Sequence, residues 1–262
     1  MTTPPSHGTF SPRPGAAPLS RQVLAQSRME TRLLLRNGEQ LLLALVIPLI
    51  VLVGGVIAAD KVGLDFAKGT VDTLTPGVLA LAVMSTSFTS LAITTGFERR
   101  YGVLKRLGSS PLPRSGLLAG KIGALLFVEV LQVIVIGAAA SALGWSPVVS
   151  AASLAGTVAA LVLGTAAFAS LGLLIAGALR AEATLAAANL IYLLLMAGGA
   201  VVIPASTYGG IGVVLEWLPS GALGTAMRTA LLDGTVAVAP LAVLAAWTVA
   251  GTLLTARTFK WE

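Results

Sequence analysis

Six stretches of the chain are apolar for long enough to cross a lipid bilayer, and most of the charged residues lie between them. The runs are Leu41–Ala59, Thr73–Phe97, Ile122–Leu143, Ala151–Leu179, Ala183–Ile203 and Val236–Ala256. A hydrocarbon core about 30 Å thick takes about 20 apolar residues in helical form, because every backbone amide must find its hydrogen bond inside the segment. The pattern therefore predicts an all-α membrane protein with six transmembrane helices, each end uncertain by a few residues. Pro48 and Pro240 fall inside the first and sixth runs and predict kinks there, with neighbouring helices rescuing the freed carbonyls. The small-residue stretch "LGTAAFASLGLLIAG" in the fourth run predicts close helix packing.

The segments outside the runs carry patterns of their own. Residues 1–19 are rich in Pro, Ser, Thr and Gly. They predict a disordered cytoplasmic tail ahead of a single six-span domain over 20–262. The tail does not have the pattern of a signal peptide, since the first apolar run begins only near Leu41 and no small-residue cleavage pattern follows it. Arg21, Arg28, Arg32 and Arg36 recur at helical spacing and share one stripe, which predicts an interfacial amphipathic helix on the inner membrane surface. A solvated extension of the first span is the alternative, because Gln26 and Glu30 interrupt the apolar residues opposite that stripe. Between the second and third runs, Phe97, Tyr101, Val103, Leu104 and Leu107 fall on one side of a helix. Glu98, Arg99, Lys105 and Arg106 fall on the other, with Arg100 intruding. Gly108 ends this short amphipathic helix, and "SSPLPR" keeps the chain extended beyond it.

Composition agrees with the hydropathy pattern. Apolar residues make up 56% of the 262 and charged ones 11%, and the mean hydropathy is +0.90, too little polarity to cover a water-soluble globule. A net charge of +6 and a pI near 10.2 suit nucleic acid as well as anionic lipid, but the hydrophobic runs and the placement of the cations favour lipid. With both termini on the cytoplasmic side, fourteen of the seventeen Lys and Arg residues lie inside, and only Lys61, Lys68 and Arg228 lie outside. That asymmetry predicts a multi-pass protein of the plasma membrane in this orientation. Cysteine is absent, so disulfide, thiolate and Cys-ligated metal chemistry are excluded. The single histidine, His7, lies in the tail, and no His-x-x-Glu-His pattern occurs, so neither a catalytic residue nor a metal site is expected.

The stretch "FERRYGVLKRLGSSPLPRSGLLAGK" resembles the loop of type-2 ABC exporter permeases. In that family an acidic residue ends the second span, followed by a Gly-x-Leu-x-x-Leu stretch, a Ser/Thr-Pro-Leu turn and a basic residue opening the third span. The matching positions are Glu98, Gly102, Leu104, Leu107, Pro111, Leu112, Arg114 and Lys121. The segment "VLEWLPSGALGTAMRTALLDGT" resembles the family's stretch before the last span at Pro219, Arg228 and Gly234. It departs in carrying "SGAL" where a second proline is common. In span order the likeness covers about residues 20 to 260.

The resemblance implies a membrane subunit that pairs with a second permease subunit, as homodimer or heterodimer, above two copies of an ABC ATPase. It implies that Glu98, Arg99, Arg100, Tyr101, Gly102, Leu104, Lys105, Arg106 and Leu107 form a cytoplasmic coupling helix seated on the ATPase. ATP and Mg would then be held by the partner alone, and this chain would need no cofactor. A phosphate-cradling loop would read Gly-x-x-x-x-Gly-Lys-Ser/Thr. The nearest stretch, "GLLAGKI", is one spacer short and has isoleucine in place of the hydroxyl. The segment from Pro204 to Thr235 mixes Glu216, Arg228 and Asp233 with apolar stretches. The family likeness makes it a re-entrant helical hairpin before span six, and a plain surface loop is the alternative.

Glu129 is the acid well inside a span, where insertion costs about 2.5–3.5 kcal/mol. Gln132 shares its helix face, and Ser87 and Ser90 stand among the hydroxyls of the second span. Two readings stand for these four residues: a substrate pathway, or polar groups satisfied within and between helices. Two functions also stand. One is an ATP-driven exporter moving an amphipathic drug-like molecule or a lipid out of the cell. The other is a proton-coupled secondary carrier using Glu129, although no internal repeat of the kind such carriers often show is found.

Overall fold

Backbone amides in hydrocarbon must pair within their own segment, and the chain answers with helices throughout. The computed structural model describes residues 15, 17–63, 66, 68–110 and 112–259. The expected disordered tail lies almost wholly outside the described residues, as does Pro111 of the loop motif. The described elements are α1 (Leu19–Arg36), α2 (Gly38–Val62), α3 (Thr70–Met84), α4 (Leu91–Arg100), α5 (Val103–Leu107), α6 (Arg114–Ala142), α7 (Ala151–Ala178), α8 (Ala181–Gly198), α9 (Gly212–Leu215), α10 (Pro219–Leu232) and α11 (Val238–Thr258). A π-helical stretch, Ser85–Ser90, joins α3 to α4, and a 3-10 stretch, Ala205–Ile211, precedes α9. Among the described residues, six helices are long and apolar enough to cross a membrane: Ala44–Val62, Thr70–Arg100, Arg114–Ala142, Ala151–Ala178, Ala181–Gly198 and Val238–Thr258.

Two boundaries and one proline differ from the sequence reading, each for a physical reason. The third span starts at Arg114 rather than near Ile122. Its early turns carry Lys121, which the hydropathy pattern places in a loop but which is buried and paired (below). The fifth ends at Gly198 rather than Ile203, because the chain leaves the helix there to offer its carbonyls to Arg228. Pro240 does not interrupt the sixth span. It is the third residue of α11, where its missing N–H has no acceptor to lose, and the first helical bond runs from Leu241 N to the Ala237 carbonyl. Pro48 does lie inside α2.

The middle of the bundle is α3, in which every residue from Thr73 to Met84 is buried. Val78, Leu81, Met84 and Phe88 meet Ile136 of α6, Phe168 of α7, Leu223 and Met227 of α10 and Leu244 of α11 in one apolar core. Phe88, on the π-helical stretch, sits edge-to-face on Phe168 with centroids 6.3 Å apart. The perimeter is apolar as well. Ile50, Ile134, Leu154, Leu194 and Val249 are exposed, a surface suited to hydrocarbon rather than water.

At the end away from α1, the chain between α8 and the 3-10 stretch is held from three sides. The Arg228 guanidinium, 7% exposed, donates to the carbonyls of Ala200 (2.9 Å), Val201 (2.9 Å) and Val202 (3.2 Å). Ser220 Oγ donates to the Gly199 carbonyl at 2.8 Å. From α3, Gly77 lies so close that a Cβ there would stand 2.6 Å from the carbonyl oxygens of both Val201 and Val202. Arg228 is thus a buried cation compensated by backbone oxygens, and α10 is clamped between α3 and α7. Two variants test this. Arg228→Met strips three charge-assisted bonds and is expected to destabilise by about 3 kcal/mol. Gly77→Ala is expected to cost about 1–3 kcal/mol through overpacking. Both are read as a fall in the thermal unfolding midpoint of the detergent-solubilised chain.

Candidate functional site

The loop between spans two and three was expected to form one amphipathic helix from Phe97 to Leu107. Instead α4 runs to Arg100, the chain turns at Tyr101 and Gly102, and α5 starts afresh at Val103. Gly102 adopts φ +68°, a left-handed conformation that glycine takes without steric cost, and this breaks the helix. Tyr101 is exposed and stacks on Phe97 at 6.1 Å, with the Arg100 guanidinium 5.8 Å from its ring centre. Leu104 is buried and roots α5 against the protein, Leu107 is half-buried, and Lys105 and Arg106 are exposed. The Gly108 N–H bonds the Leu104 carbonyl at 2.9 Å and closes α5.

Glu98, Arg99 and Arg100 face their own protein. Glu98 Oε1 accepts from Lys121 Nζ of α6 at 2.7 Å, and the same ammonium lies 3.0 Å from Glu30 Oε1 of α1. Gln26 Nε2 donates to that Glu30 oxygen at 2.8 Å. Lys121 and Glu30 are 4% and 5% exposed, so this is a buried cation between two carboxylates that ties α1, α4 and α6 together. Arg99 donates to the carbonyls of Gly177 (2.5 Å) and Leu179 (2.7 Å), neutralising the negative end of α7. Arg100 pairs with Glu182 in the first turn of α8. Among the described residues no acid pairs with Lys105 or Arg106. Of the four basic residues expected to contact a partner, two are therefore committed within the chain and two point outward.

The interruption of α1 by Gln26 and Glu30, which weakened its reading as an amphipathic helix, is its docking face. These two polar residues are buried, while Leu24 and Leu33 are 63% and 57% exposed. Sequence reasoning missed this clamp. Its available signal was an acid on the apolar side of α1 together with a lysine directly before the third apolar run.

Of the four residues considered for a pathway, three lie away from the clamp. Glu129 and Gln132 are each 1% exposed and Ser87 is fully buried. Glu129 Oε2 accepts from Thr165 Oγ1 at 2.6 Å, and its other oxygen has no hydrogen-bond partner among the described residues. Gln132 donates to the Ala44 carbonyl at 2.9 Å and accepts from Thr86 at 3.1 Å, bonding α2 and the π-helical stretch. Ser87 bonds back to the Val83 carbonyl at 2.5 Å. Ser90 is set apart from them, half-buried beside a void of about 20 Å³ shared with Glu30 and Lys121. Of the two residues singled out before span six, Pro219 opens α10 and Arg228 anchors it.

The family model described as "ABC-2 family transporter protein" matches residues 63–257, most of the chain. No curated protein matches it significantly. The clamp yields a prediction of its own: Lys121→Met leaves the buried Glu30 and the half-buried Glu98 without their cation and is expected to cost about 3 kcal/mol. Adding Glu30→Gln and Glu98→Gln should restore much of the loss, as read by the unfolding midpoint.

Proposed function

The chain belongs to the ABC-2 transporter family, and from that premise we propose that it is the permease subunit of an ATP-driven exporter. In this reading it moves an amphipathic drug-like molecule or a lipid outward across the plasma membrane. Two copies, or one copy and a related chain, assemble above two ATPase subunits that carry ATP and Mg. The observation that carries the reading is α5, a short helix with two exposed cations that pair with no acid among the described residues, rooted by Leu104 and preceded by three residues tied to α6, α7 and α8.

A push on α5 passes through the α4 end to Lys121 of α6, to the C-terminus of α7 through Arg99 and to the start of α8 through Arg100. One contact thereby shifts several spans together, as rigid-body rearrangement around a central path requires. The excess of cations at the α1 end supports placing that end in the cytoplasm. There α1 lies in the interface, with Leu24 and Leu33 toward lipid and its arginines reaching the headgroups. The segment from the 3-10 stretch through α10 re-enters from the outer side, admissible in hydrocarbon because α10 is buried in protein. Sealing of Glu129 within the helix pack supports the exporter over a carrier that would use this acid as its proton relay.

The double variant Lys105→Glu/Arg106→Glu tests the reading. Both residues are exposed, so insertion and thermal stability should stay as in the wild type. Transport per ATP hydrolysed should fall about tenfold or more, through like-charge mismatch at the ATPase. Unchanged transport stoichiometry would remove the coupling role.

A further inference from the structure

A second feature lies at the opposite end of the bundle, in a cleft between α10 and α11. It has a volume of about 910 Å³, within the range of pockets that hold drug-sized ligands. Its walls are largely apolar, with Pro240, Val243 and Trp247 from α11 facing Thr229 of α10, and Glu216 and Trp217 at the α9–α10 elbow. Neither lysine nor arginine lines it. The nearby cation on α10, Arg228, is turned away and spends its guanidinium on the carbonyls of Ala200, Val201 and Val202.

Three observations set the chemistry of what would fill this cleft. Glu216 is exposed and forms no ion pair among the described residues, so the cleft carries one uncompensated negative charge. Trp217, the next residue, lines the same cleft and is 68% exposed. The elbow is fixed: Trp247 Nε1 donates to the Trp217 carbonyl at 2.9 Å, the Glu216 N–H bonds the Gly212 carbonyl at 3.1 Å, and Leu218 N bonds Leu215 O at 3.1 Å. A carboxylate and an exposed indole on the lining of one apolar cleft without cations are complementary to a bulky hydrophobic cation and disfavour an anion of the same shape.

We infer that the α10–α11 cleft is a binding site for lipophilic cations, with Glu216 supplying the counter-charge and Trp217 the aromatic face. The inference deepens the export reading by naming a substrate class. It rests on that reading only for the direction of movement, since binding itself needs no ATPase.

The test is equilibrium binding of radiolabelled tetraphenylphosphonium to the full chain in nanodiscs of zwitterionic lipid, against tetraphenylborate as the anion of matched shape. The expected result is saturable binding of the cation. Glu216→Gln should weaken it about tenfold, Trp217→Ala by a comparable factor, and Trp217→Phe should retain most of the affinity. Glu216 and Trp217 are exposed, so the variants should fold, and their unfolding midpoints check this. Equal affinity for tetraphenylborate, or cation binding indifferent to both Glu216→Gln and Trp217→Ala, would overturn the site and leave the cleft as a slot for lipid tails. The export reading fails separately, if the chain reconstituted with its ATPase shows no ATP-dependent transport of any amphiphile while cation binding persists.

Discussion

The ammonium of Lys121, held between Glu30 and Glu98, is the contact on which the α1 end of the protein depends. A lone lysine at that depth would be costly, and so would either acid, but the three together partly repay their desolvation. Because the partners come from α1, α4 and α6, the pairing fixes the helix that flanks the bundle, the end of the central span and the start of the next. Where α5 stands follows from that arrangement. The α4 end cannot move without moving Lys121, and Gly102 sets the direction in which the chain leaves it.

The far end solves the same problem with backbone in place of acids. Arg228 is buried like Lys121 and Glu30, yet its acceptors are three consecutive carbonyls that α8 releases by ending early. This fastens α10 against α3 and leaves its opposite side free to form the cleft with α11. The two ends thus differ in kind. One is an ionic joint among three helices, and the other is a guanidinium bonded to backbone carbonyls.

The six spans were legible because about twenty consecutive apolar residues leave few alternatives in a chain this hydrophobic, and the family likeness at Gly102, Leu104 and Leu107 is matched by the family assignment over residues 63–257. The π-helical stretch at Ser85–Ser90 was not legible, since its hydroxyls fit an α-helix equally well. Periodicity made the loop one helix, because one left-handed glycine breaks the chain without disturbing the pattern of apolar positions. The partners of Arg99 and Arg228 were not legible for a further reason: they are carbonyls, which every sequence supplies and no pattern marks. The clamp joins residues far apart in the chain, so only the folded arrangement reveals that Glu30 and Lys121 answer one another.

The central claim is that α5 is the surface on which an ATPase pushes, and contact is its most direct test. The chain has no cysteine, so Lys105→Cys offers a unique attachment point for a short photo-crosslinker on the purified, reconstituted transporter. The account predicts adducts between this position and the ATPase chain, with a yield that changes when nucleotide closes the ATPase pair. Adducts with phospholipid alone would contradict it.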